Sequence, residues 1–259
     1  MTNFTSLDSL RRAVQECAEL AGSVAFAHYR TDIAVEVKGD GSPVTLADRE
    51  AEAAVREWIA ARFPGDGILG EEFGETKGTS GRRWIVDPID GTKSFVRGVP
   101  LWGSLVALLE GDVVLAGAAA FPAVGEVIAA ARGGGCWHNG ARARVSDIAE
   151  LSRATVLITD DRVFDDDGRR AKWNRITARA EISRTWGDAY GYLMVATGRA
   201  EIMVDARINP WDIACFVPII EEAGGMFTDL DGVATPFGKH SIATNAALAA
   251  ESRRMLCSI

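Results

Sequence analysis

One segment constrains this chain more than any other: Arg83-Trp-Ile-Val-Asp-Pro-Ile-Asp-Gly-Thr92. Its apolar run predicts a buried strand that ends in two carboxylates, Asp87 and Asp90, and the proline between them holds Asp87 in an extended conformation. Carboxylates at the end of a strand offer hard oxygen ligands to a divalent cation. Gly91 and Thr92 follow at the predicted start of a helix, where free backbone N–H groups attract an anion. A cation site beside an anion site indicates that the chain binds a phosphate group.

Further carboxylates occur at comparable positions, and each also has an ordinary structural interpretation. Glu71 and Glu72 follow the short apolar step Ile68-Leu69, so they lie at the end of a second predicted strand or form a solvated pair in a loop. Asp212 lies in the first turn of a predicted helix, where an acid also complements the helix dipole. Asp90-Gly91 is likewise a common turn dipeptide. Taken together, these features favour a shared cation site over unrelated turns and caps.

Hydrophobic spacing predicts an α+β chain in which helices and strands are mixed without the strict alternation of a barrel. A helix is predicted from Leu7 to His28, and Thr45-Leu-Ala-Asp48 is a capping box that begins a second helix ending near Phe63. A polar connection near Val145 to Leu151 separates two sets of elements. The other predictions are strands at Arg83–Asp87, at Leu105–Leu109, within Asp112–Arg132 (two, broken at Phe121-Pro122), at Ala154–Ile158, at Ala200–Val204 and near Met226 and Ile242, and helices at Lys172–Ala180, Tyr190–Thr197 and Trp211–Ala223.

The composition argues against several functional classes. With 36 acidic and 28 basic residues, the 259-residue chain carries a formal charge of -8, which disfavours nucleic acid and anionic membranes as partners. Four cysteines occur without a CxxC pair, so neither a disulfide framework nor a zinc site is indicated, and a reducing cytoplasm fits. The first residues contain no apolar segment behind a basic start, so no targeting or membrane-spanning segment is predicted.

Familiar nucleotide-binding and hydrolase signatures are absent or out of context. Gly65-Asp-Gly-Ile-Leu-Gly70 matches GxGxxG, but it follows a predicted helix and leads into Glu71. A dinucleotide-binding loop instead follows a strand and begins a helix. The sequence contains neither a GxxxxGKS or GxxxxGKT segment nor a GxSxG segment, so a P-loop enzyme or a serine hydrolase is not predicted.

Three parts of the sequence resemble the signature segments of the inositol monophosphatase family, in the family's order: Gly70-Glu-Glu72, Trp84-Ile-Val-Asp-Pro-Ile-Asp-Gly-Thr92, and Trp211-Asp212 with Glu222-Ala-Gly-Gly225. Members of this family are magnesium-dependent, lithium-sensitive phosphomonoesterases. The resemblance implies a layered αβαβα sandwich, formed by a single domain over residues 1–259 with subdomains at roughly 1–145 and 146–259. It also implies a homodimer and a small phosphate ester as substrate.

The resemblance further implies which residues hold two to three Mg²⁺ ions. Glu71, Asp87 and the backbone carbonyl of Ile89 would bind the first ion. Asp87, Asp90 and Asp212 would bind the second, and a third, weaker ion would rely on Glu71 and water molecules. This ligand set agrees with the chemistry of Mg²⁺, which prefers oxygen ligands, keeps several waters and is completed by the substrate phosphate.

The same resemblance assigns catalytic roles to Thr92, Asp48 and Glu71, and places the substrate phosphate on the backbone amides of Gly91 and Thr92. Asp48 keeps two interpretations. It is either the capping-box partner of Thr45 or the acceptor that orients the Thr92 hydroxyl toward the attacking water, and both roles can hold at once.

Two further segments resemble the histidinol-phosphate phosphatase branch of the family more than its inositol enzymes: Phe95-Val-Arg-Gly-Val-Pro-Leu-Trp102 and Trp186-Gly-Asp-Ala-Tyr190. Gly187-Asp188-Ala189 stands where inositol-specific members tend to carry Gly-Thr-Ala, and Asp205 stands where the family places a Glu that touches the substrate. The resemblance thus implies that Asp188 and Asp205 bind the cationic part of L-histidinol phosphate, an ester of histidine biosynthesis. Asp188 has an alternative role as a helix N-cap, and Asp205 as a turn residue at the end of a strand.

The sequence leaves other functions possible. Within the same class they are an inositol-1-phosphatase, a broad-specificity sugar-phosphate phosphatase and a 3'-nucleotide phosphatase, which Lys93 alone does not exclude. A different class is a non-catalytic regulatory protein on the same fold. The complete set of predicted metal ligands argues against lost catalysis, and the acidic charge argues against a nucleic-acid partner.

Overall fold

A computed structural model describes residues 6–39, 41, 43–164 and 168–257. Its α-helices are α1 (Leu7–His28), α2 (Leu46–Arg62), α3 (Thr92–Phe95), α4 (Arg169–Thr177), α5 (Asp188–Ala196), α6 (Pro210–Ile213), α7 (Phe216–Glu222) and α8 (Ala249–Leu256). Its strands are β1 (Val35–Val37), β2 (Pro43–Thr45), β3 (Gly67–Gly70), β4 (Gly74–Thr76), β5 (Arg82–Asp90), β6 (Gly103–Glu110), β7 (Val113–Phe121), β8 (Glu126–Ala131), β9 (Gly135–His138), β10 (Ala141–Arg142), β11 (Thr155–Ile158), β12 (Ile182–Arg184), β13 (Ile202–Asp205), β14 (Met226–Thr228) and β15 (Ser241–Thr244).

Two large sheets form the framework. The strand order is β10-β9-β8-β7-β6-β5-β3-β4 in the first sheet and β12-β11-β13-β15-β14 in the second. Neighbours in the first sheet are antiparallel except β3 and β5, which run parallel. In the second sheet β11 runs parallel to both β12 and β13. The parallel pairs matter for the site, because the carboxyl ends of parallel strands meet at one edge of a sheet.

Side chains that alternate across the strands divide the apolar core into layers. In β5, Trp84 and Val86 pack with α1 and α2 on one face of the first sheet, whereas Ile85 points to the other face. Helices α5, α6 and α7 pack between the two sheets. Helices α4 and α8 cover the far face of the second sheet. The order helix, sheet, helix, sheet, helix confirms the αβαβα sandwich that the sequence predicts.

Local patterns predicted the first two helices correctly. α1 spans the predicted range from Leu7 to His28. Thr45 is the N-cap of α2, and Asp48 Oδ2 accepts a hydrogen bond from the Thr45 N–H at 2.8 Å, as the capping box requires. None of the helices in the described part of the chain combines the length and the apolar composition that crossing a bilayer requires.

The prediction of a single helix from Trp211 to Ala223 is wrong. α6 ends at Ile213 and α7 begins at Phe216. Pro218 explains the break, because it has no N–H to donate to the Ala214 carbonyl four residues earlier, and a proline fits best in the first turn of a new helix. The break separates short α6 from α7, which packs on the first sheet.

Candidate active site

The side chains of Asp87 and Asp90 reach the same side of β5 because the strand contains a bulge. In a regular strand, residues three apart point to opposite faces. Asp87 pairs with Leu105 and Asp90 with Gly103 on β6, so β5 has one residue more than its partner between these pairs. One carboxylate oxygen from each of Asp87, Asp90 and Asp212 lies within 4.8 Å of the other two.

Glu71 reaches this cluster from the neighbouring strand. In the parallel pair β3 and β5, Gly70 pairs with Val86, so Glu71 follows β3 beside Asp87. The Glu71 N–H donates to the Val86 carbonyl at 3.2 Å and extends the pairing by one step. Every residue predicted to hold metal or phosphate lines the resulting pocket: Glu71, Asp87, Ile89, Asp90, Gly91, Thr92 and Asp212.

The turn that carries Glu71 is fixed by a carboxylate of α2. Glu52 accepts hydrogen bonds from the Glu72 N–H at 2.7 Å and from the Phe73 N–H at 3.1 Å. Gly70 must lack a side chain, because a Cβ at this position would lie 2.0 Å from a carboxylate oxygen of Glu52. The glycine that ends the GxGxxG-like segment therefore serves this close packing.

Asp212 takes part in capping α6 and also belongs to the carboxylate cluster. Asn209 is the N-cap of α6, and Asp212 Oδ2 accepts a hydrogen bond from the Asn209 N–H at 2.7 Å. The cap occupies one carboxylate oxygen and fixes the side chain, while the group as a whole faces Asp87 and Asp90. Capping thus positions this acid for the cluster.

Burial and mutual repulsion make this cluster unfavourable without a counter-ion. Burial raises the pKa of Asp87 well above its ordinary value, and the charges of Glu71 and Asp90 raise it further. Burial, with the charges of Asp188 and Asp212, does the same to the pKa of Asp90. Burial raises the pKa of Asp212 to about 7. Carboxylates and a backbone carbonyl, without nitrogen or sulfur donors, fit a hard divalent cation whose charge would keep the acids ionised.

We expect the metal-free protein to lose stability as the pH rises. A carboxyl group with a raised pKa in the folded state binds more protons folded than unfolded, so the free energy of unfolding falls with rising pH. For Asp212 the fall extends from its ordinary pKa of 3.8 to about 7. Mg²⁺ at a hundredfold excess over its Kd should add about 2.7 kcal/mol at high pH, which raises the melting temperature by about 5–10 °C.

Thermal unfolding in EDTA and in Mg²⁺, at about pH 5 and about pH 8, measures both effects. The shift caused by Mg²⁺ should be the larger at the higher pH, where the carboxylates repel one another and no proton competes with the ion. Equal shifts at both pH values would contradict the assignment of these acids to the cation site.

A lysine just after β1 supplies a positive charge to one end of the cluster. Lys38 Nζ donates to Glu71 Oε1 at 2.7 Å and to Glu72 Oε1 at 2.6 Å. Burial opposes the charged ammonium, but the hydrogen bonds to the two carboxylates outweigh it and raise the pKa of Lys38. Sequence reasoning missed this contact, because a lysine in a loop carries no pattern that points to acids 33 and 34 residues away.

Both interpretations of Asp48 are compatible with the geometry, because its two oxygens have different partners. Oδ2 accepts hydrogen bonds from the N–H and the hydroxyl of Thr45. Oδ1 lies 3.4 Å from the Thr92 hydroxyl oxygen, which is a long contact, and the same hydroxyl lies 2.9 Å from the Ile89 carbonyl oxygen. A hydroxyl has one proton to donate, so Thr92 here donates mainly to Ile89.

The residues predicted to bind an anion lie at the start of α3. Gly91 is the N-cap of α3, with φ of 81°, a left-handed conformation that glycine adopts without strain. The first N–H groups of a helix have no partner within the helix and attract negative charge. The Gly91-Thr92 step therefore presents donors beside the carboxylate cluster.

A second pocket adjoins the cluster and contains both acids that the sequence assigns to a cationic substrate. Asp188 and Asp205 line it together with two members of the cluster, Asp90 and Asp212. Burial raises the pKa of Asp188 to about 6 and that of Asp205 to about 7. Lys93 lines both pockets, and its charge partly offsets the effect of burial on Asp188. Within the part of the chain that the structure describes, neither acid forms a salt bridge.

The N-cap interpretation of Asp188 is wrong. Gly187 is the N-cap of α5, and Asp188 is the first residue of the helix, with φ of 49°. The Asp188 N–H donates to Thr159 Oγ1 at 2.7 Å, and the Ala189 N–H donates to Asp90 Oδ2 at 2.5 Å. The start of α5 is thereby tied to the carboxylate cluster, and the Asp188 side chain is left to line the pocket.

Asp205 lies at the end of a strand, as predicted, and its carboxylate is held by groups from other elements. Asp205 is the last residue of β13 and is only 6% exposed. Its Oδ2 accepts a hydrogen bond from the Tyr192 hydroxyl at 2.8 Å, and its Oδ1 accepts one from the Thr159 N–H at 3.3 Å. Sequence reasoning named neither donor as a site residue, because they come from α5 and from the end of β11, and no local pattern links these elements.

Another group of side chains, Asp229, Asp231 and His240, lies close enough together to hold a metal ion, but its hydrogen bonds argue against one. His240 Nδ1 accepts from the Leu230 N–H at 3.0 Å, so the ring proton is on Nε2, 3.5 Å from Asp231 Oδ2. A histidine binds a metal through an unprotonated nitrogen. Asp229 Oδ1 accepts from the N–H groups of Asp231 and Val233. This group stabilises a turn.

Comparisons with known proteins agree with the site geometry. The model of the "Inositol monophosphatase family" matches residues 6–257. A histidinol-phosphatase from Chlorobaculum parvum is 47% identical over 84% of this chain and 84% of its own length. A histidinol-phosphatase from Mycobacterium tuberculosis is 43% identical over 84% of this chain and 85% of its own length. The structure of an inositol monophosphatase from Thermotoga maritima superposes with a TM-score of 0.86 at 34% identity and covers 96% of each chain.

Proposed function

The chain belongs to the inositol monophosphatase family and is a phosphoric monoester hydrolase, and we propose that it hydrolyses L-histidinol phosphate to L-histidinol and phosphate in a Mg²⁺-dependent reaction. The similarity to histidinol-phosphatases of two organisms supports the choice of substrate. The complete set of acids around Asp87 supports a catalytic protein over a regulatory one.

One observation carries the choice of substrate: the pocket beside the carboxylate cluster contains two acids, Asp188 and Asp205, and neither forms a salt bridge within the described residues. A buried charge without a partner is costly, and an incoming cation removes that cost. L-histidinol phosphate carries an amine and an imidazole on the side away from its phosphate. A neutral polyol ester offers only hydroxyl groups, so it would leave both acids without a salt-bridge partner.

The proposed mechanism divides the work between the ions and the chain. When bound, Mg²⁺ would neutralise the phosphoryl oxygens, activate a water molecule and stabilise the leaving alkoxide. We propose that two to three ions are held by Glu71, Asp87, the Ile89 carbonyl, Asp90 and Asp212.

The other residues bind and orient. The N–H groups of Gly91 and Thr92 hold phosphoryl oxygens at the start of α3. The Thr92 hydroxyl donates its only proton to the Ile89 carbonyl or to Asp48 Oδ1. Its oxygen is therefore free to accept a hydrogen bond from the attacking water. This hydrogen bond orients the water with a lone pair toward phosphorus. Asp188 and Asp205 fix the leaving-group side of the ester.

We extend the proposal to a homodimer in the cytoplasm that acts in histidine biosynthesis, with the chain divided near residue 145 into a part that carries most metal ligands and a part that carries the substrate-side acids. These features follow from the family resemblance of the sequence. Turnover of L-histidinol phosphate and of inositol 1-phosphate, each with and without Mg²⁺, tests the function. A preference of the unaltered enzyme for inositol 1-phosphate would overturn the choice of substrate.

Neutralising either substrate-side acid should change specificity. Asp188→Asn or Asp205→Asn removes a charge-assisted hydrogen bond to the substrate cation, worth about 1.5 to 3 kcal/mol, so kcat/KM for L-histidinol phosphate should fall roughly ten- to a hundredfold. For inositol 1-phosphate the change should stay within about twofold, because that ester has no cation to lose a partner. An equal loss on both esters would mean that these acids support the metal ligands or the fold.

A further inference from the structure

The carboxylate of Asp205 is held by a chain of hydrogen bonds for which the proposed mechanism gives no reason. The Tyr192 hydroxyl donates to Asp205 Oδ2 at 2.8 Å, and the same hydroxyl oxygen lies 2.5 Å from Ser241 Oγ. On the other side, the Thr159 N–H donates to Asp205 Oδ1 at 3.3 Å. Tyr192 and Ser241 are completely buried, with exposures of 1% and 0%. Each oxygen of a buried acid thus has one neutral donor.

The fold places these donors rigidly. Asp205 and Ser241 are directly opposite in the antiparallel pair of β13 and β15. Tyr192 comes from α5, and its ring stacks on Phe216 with centroids 4.7 Å apart and planes inclined by 19°. In the parallel pair of β11 and β13, the register brings Thr159 beside Asp205. Three different elements therefore converge on one carboxylate.

Neutral donors orient an acid without cancelling its charge. A carboxylate oxygen accepts more than one hydrogen bond, so one donor on each oxygen leaves acceptor directions open. Asp205 lines the pocket beside Asp188, and no Lys, Arg or His within the described residues forms a salt bridge with it. Burial raises the pKa of Asp205, whereas the hydrogen bonds from Thr159 and Tyr192 lower it. Without those donors, the pKa of Asp205 would rise further, and the charged form that attracts a cation would be less favourable.

We propose that Tyr192 is a positioning residue for substrate recognition: its hydroxyl, supported by Ser241, holds the Asp205 carboxylate in place and directs it at the cationic part of the substrate. This inference rests on the proposed function, because it requires a substrate with a cation on the side away from the phosphate. Tyr192 then determines which ester binds well, and takes no part in the attack on phosphorus.

The variant Tyr192→Phe tests the inference, because it removes the hydroxyl and keeps the ring that packs on Phe216. Tyr190→Phe is the matched control: it lies on the same helix, and its hydroxyl donates to Glu126 Oε1 at 3.0 Å, away from both pockets. For Tyr192→Phe, the KM for L-histidinol phosphate should rise roughly tenfold while kcat stays within about twofold. Both constants for inositol 1-phosphate should stay within about twofold in both variants.

Inhibition by each product tests the binding of the two parts of the substrate separately. In Tyr192→Phe the inhibition constant of L-histidinol should rise roughly tenfold, and that of inorganic phosphate should not change. A parallel loss with phosphate or with inositol 1-phosphate would show a general structural role and overturn the inference. If Tyr192→Phe does not fold, Ser241→Ala, which removes only the second link, should show the same selective rise at roughly threefold, and an unselective or absent effect would overturn the inference.

The outcome also distinguishes this inference from the function on which it rests. An unaltered enzyme that prefers inositol 1-phosphate would overturn both. An enzyme that prefers L-histidinol phosphate and loses that preference in Asp205→Asn, but keeps it in Tyr192→Phe, would overturn the role of Tyr192 alone.

Discussion

Asp87→Asn should abolish turnover and leave the fold intact. Asp87 is a member of the cluster, with one carboxylate oxygen within 4.8 Å of an oxygen of Asp90 and of Asp212, and it is proposed to contact both the first and the second ion. Loss of its charge weakens both, and metal-held charge stabilisation contributes several kcal/mol to the transition state, so the rate should fall roughly a thousandfold or more. Removing one of several repelling buried acids should at the same time make the metal-free protein more stable.

Steady-state rates at saturating Mg²⁺, with Mg²⁺ titration by calorimetry, measure this effect. Asp229→Asn is a matched control, because Asp229 is also a buried acid, 8% exposed, in a group of potential ligands that the hydrogen bonds exclude as a metal site. It should keep the rate and the Mg²⁺ affinity of the unaltered enzyme. If Asp87→Asn kept more than about a tenth of the rate, a loss of at most about 1.4 kcal/mol, the ligand assignment would have to be abandoned.

The parts of the fold that could be predicted from the sequence are those in which one local pattern decides the outcome. The apolar stripe from Leu7 to His28 and the capping box at Thr45 each need only neighbouring residues, and α1 and α2 begin and end close to where these patterns predict. The single helix predicted from Trp211 to Ala223 failed because one residue, Pro218, outweighs an apolar stripe that otherwise continues through it.

The candidate site could likewise be predicted only in part from the sequence. The residue types of the cluster could be predicted, because carboxylates at strand ends are visible in the sequence. How Asp87 and Asp90 come to share one side could not, since the bulge in β5 depends on its pairing with β6. The contacts of Lys38 with Glu71 and of Tyr192 with Asp205 depend on elements that are distant in the sequence, and short strands such as β1 leave too few residues for a pattern.

Thr92→Ala should lower kcat strongly and leave KM nearly unchanged. The substitution keeps the backbone N–H that binds phosphate and removes the hydroxyl that orients the attacking water, an interaction made mainly in the transition state. Orientation and proton transfer of this kind contribute roughly a hundred- to ten-thousandfold. Asp48→Asn should lower kcat in the same direction. A cation held by the Ile89 carbonyl would compete with the hydrogen bond that the Thr92 hydroxyl donates there, and Asp48 Oδ1, 3.4 Å from the hydroxyl oxygen, is another acceptor within reach.

A capping variant separates the two roles of Asp48. Ser6 and Ser9 form a capping box at the start of α1, far along the chain from the site residues, so Ser6→Ala should cost about 1 kcal/mol of stability without any change in rate. Asp48→Asn should cost a comparable amount of stability because it weakens the cap at Thr45, and should in addition lower kcat. If Asp48→Asn behaved like Ser6→Ala, with a lower melting temperature and an unaltered kcat, Asp48 would only cap α2, and the Thr92 hydroxyl would act through the Ile89 carbonyl alone.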